Sequence, residues 1–501
     1  METPLRPTIV LALDPAKTLD GTWKTVIDEV LQLNSAPRVG LASFGPGANS
    51  GGSYNPDLAF MDFLGGWDLL STKKSAEAIR QFHIFSTSGS FQRFRFAALK
   101  LLNRRDLTGT FRFLEREVFV ENAVMLAMTV VLRRKPSVVV FDVTPHLFMP
   151  FVFLAVSEWL GVKTLHFSPS PVSPSMLPKT SFGQSFSPRD ALVATSKVAK
   201  PLIKIARESV TILETGIDPS YMKHQMARDR HVTSPMQRVK SLASIWGWLF
   251  KERFPESFDF GGHSRHSSFL LRGLKVLLIR SLQETLRRAA GELGSVTPRG
   301  SEFALFALHY EPERTSIPEG FPIDSQTMSI CQARALLPPD HQLIVKEHYS
   351  QQSAAKRGFI GRSPLFYDLI SSLDGTFFAP TKARLTDLLP GASCVFTLTG
   401  TIAIEAVLRG VPVAYFGNPW WEGMPGTFRI QDGVTFEKIR NLAMPTSEQV
   451  KDFVVDLTAH SMIPGLAGEN ISTVESRLGP LPAGFFEAEG ESIASCISAM
   501  L

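Results

Sequence analysis

The stretch TLTGTIAIEAVLRGVPVAYFG, from Thr397 to Gly417, contains a polar segment, then a helical pattern, then an apolar run. TIAIEAVLRG predicts a helix, and VPVAYFG predicts a buried strand, because a short apolar run bounded by turn residues is typical of a sheet interior. The stretch has no nucleophile elbow, no metal-ligand spacing and no P-loop lysine. It therefore predicts a strand–loop–helix–strand unit with a polar loop, TGT, directly before the helix.

The same alternation of strands and helices occurs in two parts of the chain. PTIVLAL, PSVVVFDV and VKTLHFS are strand-like in the first part, and EFALFALHYEPE and QLIVKEHYS are strand-like in the second. Strands that alternate with helices favour parallel pairing in a doubly wound sheet. Helical patterns dominate from about Ser185 to Ala290. The sequence thus predicts an α/β fold with two Rossmann-like domains, residues 1–290 and 291–501, a helical connector and a closing C-terminal helix.

The composition excludes some classes of protein. The chain has 501 residues, of which 44% are hydrophobic and 20% charged, so it can bury large cores and is not a disordered protein. Its net charge of +5 is too thinly spread to predict nucleic-acid binding. Three distant cysteines, Cys331, Cys394 and Cys496, show no metal or disulfide spacing and favour a reducing compartment. No signal peptide or spanning helix is expected, which predicts a cytoplasmic protein.

An amphipathic pattern marks the end of the connector, in SSFLLRGLKVLLIRSLQETLRRAAGELG. Leu278 and Leu282 belong to its apolar face, whereas Arg280 and Arg287 point away from that face. One interpretation is a connecting helix with a solvated basic face. The other is a helix that lies on an anionic membrane surface, which would make the protein peripheral at the inner face of the cell membrane.

The TGT loop has the features of a small anion site. A helix that begins at Thr399–Thr401 leaves backbone N–H groups without partners and presents the positive end of a dipole. Gly400 permits close approach, and the two threonine hydroxyls add donors, so the loop suits a phosphate. Glu405, one turn further on, could accept hydrogen bonds from sugar hydroxyls. The alternative is an ordinary capped helix with Thr399 as the N-cap.

Polar side chains also follow two strand patterns of the second part. Lys346 and His348 lie at the end of QLIVKEH, and His309, Glu311 and Glu313 follow EFALFAL. The carboxyl ends of strands in an open α/β sheet face the ligand crevice. We therefore expect these cationic and carboxylate groups to converge with the TGT loop.

The segments that carry these residues resemble a known family. FALFALHYEPERTSIPEG, LPPDHQLIVKEH, GRSPLFYDLI and CVFTLTGTIAIEAVLRGVPVAYFGNPWWEGMPG are similar to the capsule polysaccharide biosynthesis family, which includes Kdo transferases and related GT-B glycosyltransferases. The match runs from about Phe303 to Gly426. VVVFDVTPHLFMPFVFLAVSEWLGVKTL is similar to the family's first domain. The resemblance implies a GT-B-like fold with an acceptor domain, 1–290, and a nucleotide-sugar donor domain, 291–501.

The resemblance also implies roles for single residues. Related enzymes have a His-Pro motif that contacts the donor's nucleotide and phosphate; His348 matches it, with Tyr349 in place of proline. They have a Ser/Thr pair at a helix start for the phosphate, which TGT resembles with Gly400 in place of one hydroxyl residue. Their helix glutamate matches Glu405.

Glycosyl transfer needs a base for the acceptor and positive charge for the departing phosphate. Candidates for the base in the first domain are Asp14 and Asp142, with His146 in FDVTPH. GT-B enzymes generally use no metal, and the sequence has no convincing DxD motif, so we expect no metal and no cofactor. Trp420 and Trp421 could stack on a sugar or base, or could form a packing wedge.

These features together predict a glycosyltransferase that moves a sugar from a nucleotide-activated donor to a surface or capsular polysaccharide or glycolipid acceptor. The expected partners are a nucleotide sugar, an oligosaccharide or glycolipid acceptor and an anionic membrane surface, and no nucleic acid. One alternative is an enzyme like a UDP-sugar 2-epimerase, which would need no acceptor. Another is a non-catalytic polysaccharide assembly or export protein built on the same fold.

Overall fold

The structure is a computed structural model of the whole chain. The residues that it describes are 7–13, 22–33, 37–44, 60–63, 72–105, 112–181, 184–185, 198–215, 278, 281–291, 302–311, 313–323, 325–353, 358–380, 383–430 and 433–501. Their internal contacts divide the chain into two units. The first contains the described residues up to Ile205 together with Asp456–Leu501, and the second runs from Ala206 to Val455.

The first unit is built on a sheet of eight strands in the order β14-β6-β5-β4-β1-β2-β3, with β7 beside β6. The strands from β3 to β5 pair in parallel, whereas β6, β7 and β14 pair antiparallel. The order 3-2-1-4-5 within the parallel part is the beginning of the doubly wound Rossmann order 3-2-1-4-5-6. The strands are β1 (Thr8–Leu13), β2 (Arg38–Ser43), β3 (Phe60–Phe63), β4 (Val138–Phe141), β5 (Lys163–Pro169), β6 (Ser175–Ser181), β7 (Gln184–Ser185) and β14 (Ile463–Pro464).

The helices of this unit include two from the chain's last segment. The described helices are α1 (Thr22–Leu31), α2 (Ala76–Ser86), α3 (Gly89–Arg105), α4 (Phe113–Arg134), α5 (Phe148–Trp159), α15 (Ile471–Leu478) and α16 (Phe485–Met500). The closing helix α16 buries Ile493 and Ile497 in the same core as Ile9 and Leu11 of β1. The sequence placed this tail in the second domain; its apolar face instead completes the core of the first unit.

The second unit has a sheet of six strands in the order β10-β9-β8-β11-β12-β13, all paired in parallel. Counted from β8, this order is 3-2-1-4-5-6, the doubly wound order of a dinucleotide-binding fold. The strands are β8 (Phe303–Ala307), β9 (Gln342–Lys346), β10 (Thr376–Phe378), β11 (Ala392–Thr397), β12 (Val413–Tyr415) and β13 (Thr427–Arg429). The prediction of two Rossmann-like domains is confirmed by these two separate sheets.

Helices lie between most of these strands, because parallel strands need crossover connections. These helices are α8 (Gln326–Leu336), α9 (Tyr349–Gln352), α10 (Pro364–Ser371), α11 (Leu385–Leu388) and α12 (Ile402–Val407), and α13 (Phe436–Arg440) follows the last strand. Two further helices, α6 (Ala199–Thr215) and α14 (Ser447–His460), run from one unit into the other.

The described part of the predicted connector is also helical. Helix α7 covers residues 281–291 and buries Leu286 and Ala290 in the core of the second unit. Leu278 and Leu282, which the sequence placed on an apolar face, are largely exposed. Helix α6 is also part of the predicted connector, and residues 186–197, 216–277 and 279–280 lie outside the described residues. Within the described residues, no helix is long and apolar enough to cross a membrane.

Candidate functional site

The candidate site of the second unit lies where its strand order reverses. Strands β8 and β11 are neighbours there, with Phe306 paired to Phe396. The chain leaves β8 toward His309 and leaves β11 toward Thr399, Gly400 and Thr401. Because ligands of open α/β sheets bind outside the carboxyl ends of the strands at this reversal, it is the expected place for a ligand.

His309 holds the TGT loop by hydrogen bonds. Its Nε2 accepts a hydrogen bond of 3.1 Å from the backbone N–H of Thr399 and lies 3.3 Å from the hydroxyl of Thr397. The Thr397 hydroxyl in turn accepts from the N–H of Gly400 at 3.3 Å. Two of the N–H groups that the sequence offered to a phosphate therefore already have partners within the protein.

The helix begins slightly later than the sequence predicted. The helix α12 begins at Ile402, with Thr401 as its N-cap residue and no side-chain cap. Thr399 is not the cap, because its hydroxyl donates instead to the carbonyl of Thr315 at 2.9 Å. Thr399 thus joins the loop to the segment after β8. The N–H and hydroxyl of Thr401 are the loop donors that make no hydrogen bond to the described residues.

Burial keeps His309 uncharged. Removal from water, together with the nearby side chains of His348 and Arg362, lowers the pKa of His309 to about 3. The neutral ring accepts at Nε2, so its proton is on Nδ1. His309 is therefore a neutral hydrogen-bonding group at pH 7, and not the cation that the sequence suggested.

The free energy of unfolding should fall as the pH is lowered below about 6.5. The unfolded chain binds a proton at His309 near pH 6.5, but the folded chain binds it only near pH 3, so acid favours unfolding. One such histidine contributes a slope of about 1.4 kcal/mol per pH unit well inside this window. Urea unfolding of the wild type and of His309→Gln at several pH values checks this. The variant should have a shallower slope, and equal slopes would contradict the neutral histidine.

The end of β9 supplies two further basic groups. Lys346 is buried and donates to the carbonyl of Glu347 at 2.9 Å. Burial lowers the pKa of Lys346 to about 8, while the neighbouring Glu347 carboxylate opposes that shift. His348 is the N-cap of α9, and its Nδ1 accepts from the N–H of Ser350 at 3.2 Å. Its neutral form therefore carries the proton on Nε2.

Arg362 is the centre of a cluster of charged and polar side chains that bonds to the ends of β8 and β9. Arg362 donates from Nη1 to Glu311 at 2.6 Å, from Nε to Glu347 at 3.1 Å and from Nη2 to the carbonyl of His309 at 3.1 Å. The Tyr367 hydroxyl donates to the same Glu347 carboxylate at 3.0 Å. The other Glu347 oxygen accepts from the N–H of His348 at 2.9 Å. The cluster thus ties the end of β8 to the end of β9.

The sequence analysis missed Arg362, Glu347 and Tyr367. Glu311, which the sequence assigned to donor binding, is instead a partner of Arg362. A charged residue between glycine and proline, as in GFIGRSP, looks like an exposed loop residue. The signal that could have identified it is the excess of carboxylates in HYEPE and KEH, since buried carboxylates require a cation.

Two buried glutamines fix the backbone of the same loops. Gln326 accepts from the N–H of His309 at 2.7 Å and donates to its carbonyl at 3.2 Å. Gln351 does the same for Glu311, at 2.8 and 2.9 Å. The polar ends of β8 and β9 are therefore held in one conformation before any ligand binds.

The other predicted binding residues differ in their exposure to solvent. Glu313 is exposed and accepts from the Thr315 hydroxyl at 3.1 Å. Glu405 is half-buried in α12, one turn after Thr401. Trp421 is 0% and Trp420 7% exposed. Both rings pack inside the protein, so the packing-wedge interpretation describes them and neither offers an open face for stacking on a sugar.

The predicted base residues belong to the first unit. Asp142 follows β4, at the reversal of strand order between β1 and β4, and is half-buried. His146 is also half-buried, with Nδ1 3.0 Å from the carbonyl of Thr144, and its own carbonyl accepts from Arg104 at 3.2 Å. Asp14 lies outside the described residues. The described part of the chain contains no group of three acidic, histidine or cysteine residues placed to hold a metal ion.

Comparisons with known proteins give only distant similarities. No protein-family model matches the chain, and no curated protein matches it. The solved structure of KpsC from Thermosulfurimonas dismutans, a β-Kdo 2,7 transferase, is 12% identical over 75% of this chain and 89% of its own, with a TM-score of 0.29. UDP-GlcNAc 2-epimerase from Neisseria meningitidis, bound to UDP-GlcNAc, is 11% identical over 98% and 100%, with a TM-score of 0.21. CalG4, the calicheamicin glycosyltransferase, is 12% identical over 99% and 98%, with a TM-score of 0.20. We base the fold on the strand order and not on these similarities.

Proposed function

We propose that the protein is a glycosyltransferase of the GT-B type that uses a nucleotide-activated sugar. The observation that carries the proposal is the polar cluster at the strand-order reversal of the second sheet. There a preorganised loop from β11, a neutral histidine from β8 and basic groups from β9 come from three adjacent strands. The resemblance of these same segments to capsule polysaccharide biosynthesis proteins favours a surface polysaccharide or glycolipid acceptor.

Each group has a role in holding the donor. The N–H and hydroxyl of Thr401 donate to a phosphate oxygen, and Gly400 keeps the approach to that oxygen open. His348 donates from Nε2 to the nucleotide or phosphate, and Lys346 adds positive charge close by. Glu405 accepts from hydroxyls of the sugar or ribose.

The chemistry requires charge to develop on the departing nucleotide phosphate. Fixed N–H donors and buried cations stabilise that charge without reorganisation at the moment of transfer. In this proposal Asp142 of the first unit removes the proton of the acceptor hydroxyl, and His146 assists it. Asp14 remains the second candidate for this base.

Substitution of His348 should weaken donor binding. His348→Ala removes a hydrogen bond to a charged group, which costs about 1.5–3 kcal/mol, or roughly 10- to 150-fold in Kd. Isothermal titration with the donor measures the change. The exposed histidine of α14 provides a matched control, because His460→Ala should bind the donor like the wild type. Equal affinity in His348→Ala and the wild type would remove this residue from the site.

Donor binding and transfer should not depend on a divalent metal. The proposed phosphate contacts are one backbone N–H, one hydroxyl and basic side chains, which supply the positive charge that a metal would otherwise provide. Activity measured in excess chelator should therefore equal the untreated rate. Strict dependence on added magnesium or manganese would contradict this proposal.

A screen of nucleotide sugars by thermal shift tests the function, since a ligand that binds the folded state raises its Tm. The protein is then incubated with the nucleotide sugar that stabilises it, with and without oligosaccharide acceptors, and the products are identified by mass spectrometry. A new glycosidic product supports transfer. Conversion of the donor without acceptor would indicate an epimerase, and binding without turnover would indicate a non-catalytic assembly protein.

A further inference from the structure

The helical part of the first unit carries an unusual group of exposed apolar side chains. Phe96 on α3 is 56% exposed, and Phe113, Leu114 and Val118 on α4 are 64%, 68% and 52% exposed. Single exposed apolar residues are ordinary, but large aromatic and aliphatic side chains grouped on adjacent helices mark an interaction surface.

These side chains belong to two helices that contact each other. Arg95 of α3 forms an ion pair with Glu117 of α4, and Phe96 and Val118 are the next residues along each helix. A second link joins the helices through a 3.1 Å hydrogen bond from Arg116 to Asn103. Leu114 and Val118 are four residues apart and so share one face of α4. We call the group Phe96, Lys100, Arg112, Phe113, Leu114 and Val118 the α3–α4 surface.

Positive charge is concentrated in the segment of the chain that carries this surface. Residues 72–134 contain twelve Lys or Arg and five Asp or Glu, a net charge of +7, whereas the whole chain carries +5. The rest of the chain is therefore slightly acidic. The Lys100 ammonium lies 4.5 Å from the centre of the Phe96 ring, so charge and apolar surface are adjacent.

Arg112 occupies a position that does not favour the helix. It is the exposed N-cap of α4, where the positive end of the helix dipole repels a cation. Its backbone N–H donates to the Glu115 carboxylate at 2.8 Å. An exposed arginine next to Phe113 and Leu114 at a helix start suits a partner that is both negative and apolar.

We propose that the α3–α4 surface docks on an anionic lipid bilayer. The aromatic and leucine side chains enter the boundary between headgroups and acyl chains, and the surrounding lysine and arginine side chains pair with lipid phosphates. This goes beyond sugar transfer and moves the membrane contact from the connector helix, where the sequence alone placed it, to the first unit. The docking holds whether or not the proposed reaction is correct.

Sedimentation of the full chain with lipid vesicles tests the proposal. The wild type should bind vesicles of phosphatidylcholine mixed with phosphatidylglycerol, and bind phosphatidylcholine alone at least about tenfold more weakly. The double variant Phe113→Ser, Leu114→Ser should lose most of the binding. Lys100→Glu with Arg112→Glu should weaken it by about tenfold or more. All four substituted positions are on the surface, and Glu is favourable at the start of a helix, so we expect these variants to stay folded. Circular dichroism of each variant checks that lost binding does not come from unfolding.

The helix α7 provides matched controls. Leu282→Ser removes an apolar side chain that is 46% exposed, and Arg288→Glu reverses an exposed charge. Both should bind anionic vesicles like the wild type. Loss of binding in these controls and not in the α3–α4 variants would overturn the proposal in favour of α7. In another outcome, the wild type binds only membranes that retain their proteins and not the protein-free anionic vesicles. That result would overturn the proposal in favour of a protein partner.

Discussion

Gly400→Val is expected to weaken binding of the nucleotide-sugar donor by about 100-fold or more while the protein stays folded. A Cβ atom at Gly400 would lie 2.8 Å from the Thr397 hydroxyl oxygen, 3.3 Å from Ile402 and 3.5 Å from the His309 ring. The first of these distances is too short, so the Thr397 hydroxyl must move. That movement disturbs the hydrogen bonds that hold the loop to His309, and the added methyl groups occupy the approach to the phosphate.

A matched substitution separates this effect from a general loss of stability. Gly291 also lies in the second unit, and a Cβ there would meet no atom within 4 Å. Gly291→Val should therefore leave donor affinity unchanged. Calorimetric titration of both variants, with the Tm of each, measures the difference. Wild-type affinity in Gly400→Val would show that the loop does not hold the donor.

Arg362→Met should lower the free energy of unfolding by about 3–5 kcal/mol. Only 1% of the Arg362 side chain is exposed, and the substitution leaves the buried Glu347 and the half-buried Glu311 without their cation. Since a domain is stable by only about 5–15 kcal/mol, this is a large fraction of the total. Urea unfolding of the variant and of the wild type, followed by a signal that reports on the second unit, measures the loss in free energy of unfolding.

An exposed ion pair in the same unit provides the control. Arg440 and Glu302 are 2.9 Å apart, with half or more of each side chain exposed. Solvent screens such a pair, so Arg440→Met should cost no more than about 1 kcal/mol. If the two substitutions had equal effects, Arg362 would not be compensating buried charge.

The sequence predicted the fold well because the strands are short and apolar. PTIVLAL, QLIVK and SCVFT are buried on both sides, and such runs are distinctive of parallel sheets. The packing of the C-terminal helix α16 on the first unit was not predictable from the sequence. Its apolar face shows that it packs on a hydrophobic core, but not which of the two units supplies that core.

The sequence predicted where the candidate site lies better than how its residues bond. Strand ends and the TGT loop are readable from local pattern, and the structure brings His309 and Thr399 within 3.1 Å. Thr399 bonds to a residue 84 positions away in the sequence, and Arg362 to one 51 positions away. A local sequence pattern carries no information on such distant pairs. Burial, which makes His309 neutral and hides Trp421, depends on the same distant contacts.

Hydrogen–deuterium exchange with a stabilising nucleotide sugar tests the central claim most directly. If the donor binds at the strand-order reversal of the second sheet, the amides of Thr401 and Ile402 and of the segment around His348 should exchange more slowly with the ligand, and Gly400→Val should abolish this protection. Unchanged exchange at these segments, with protection elsewhere in the chain, would contradict the proposed site.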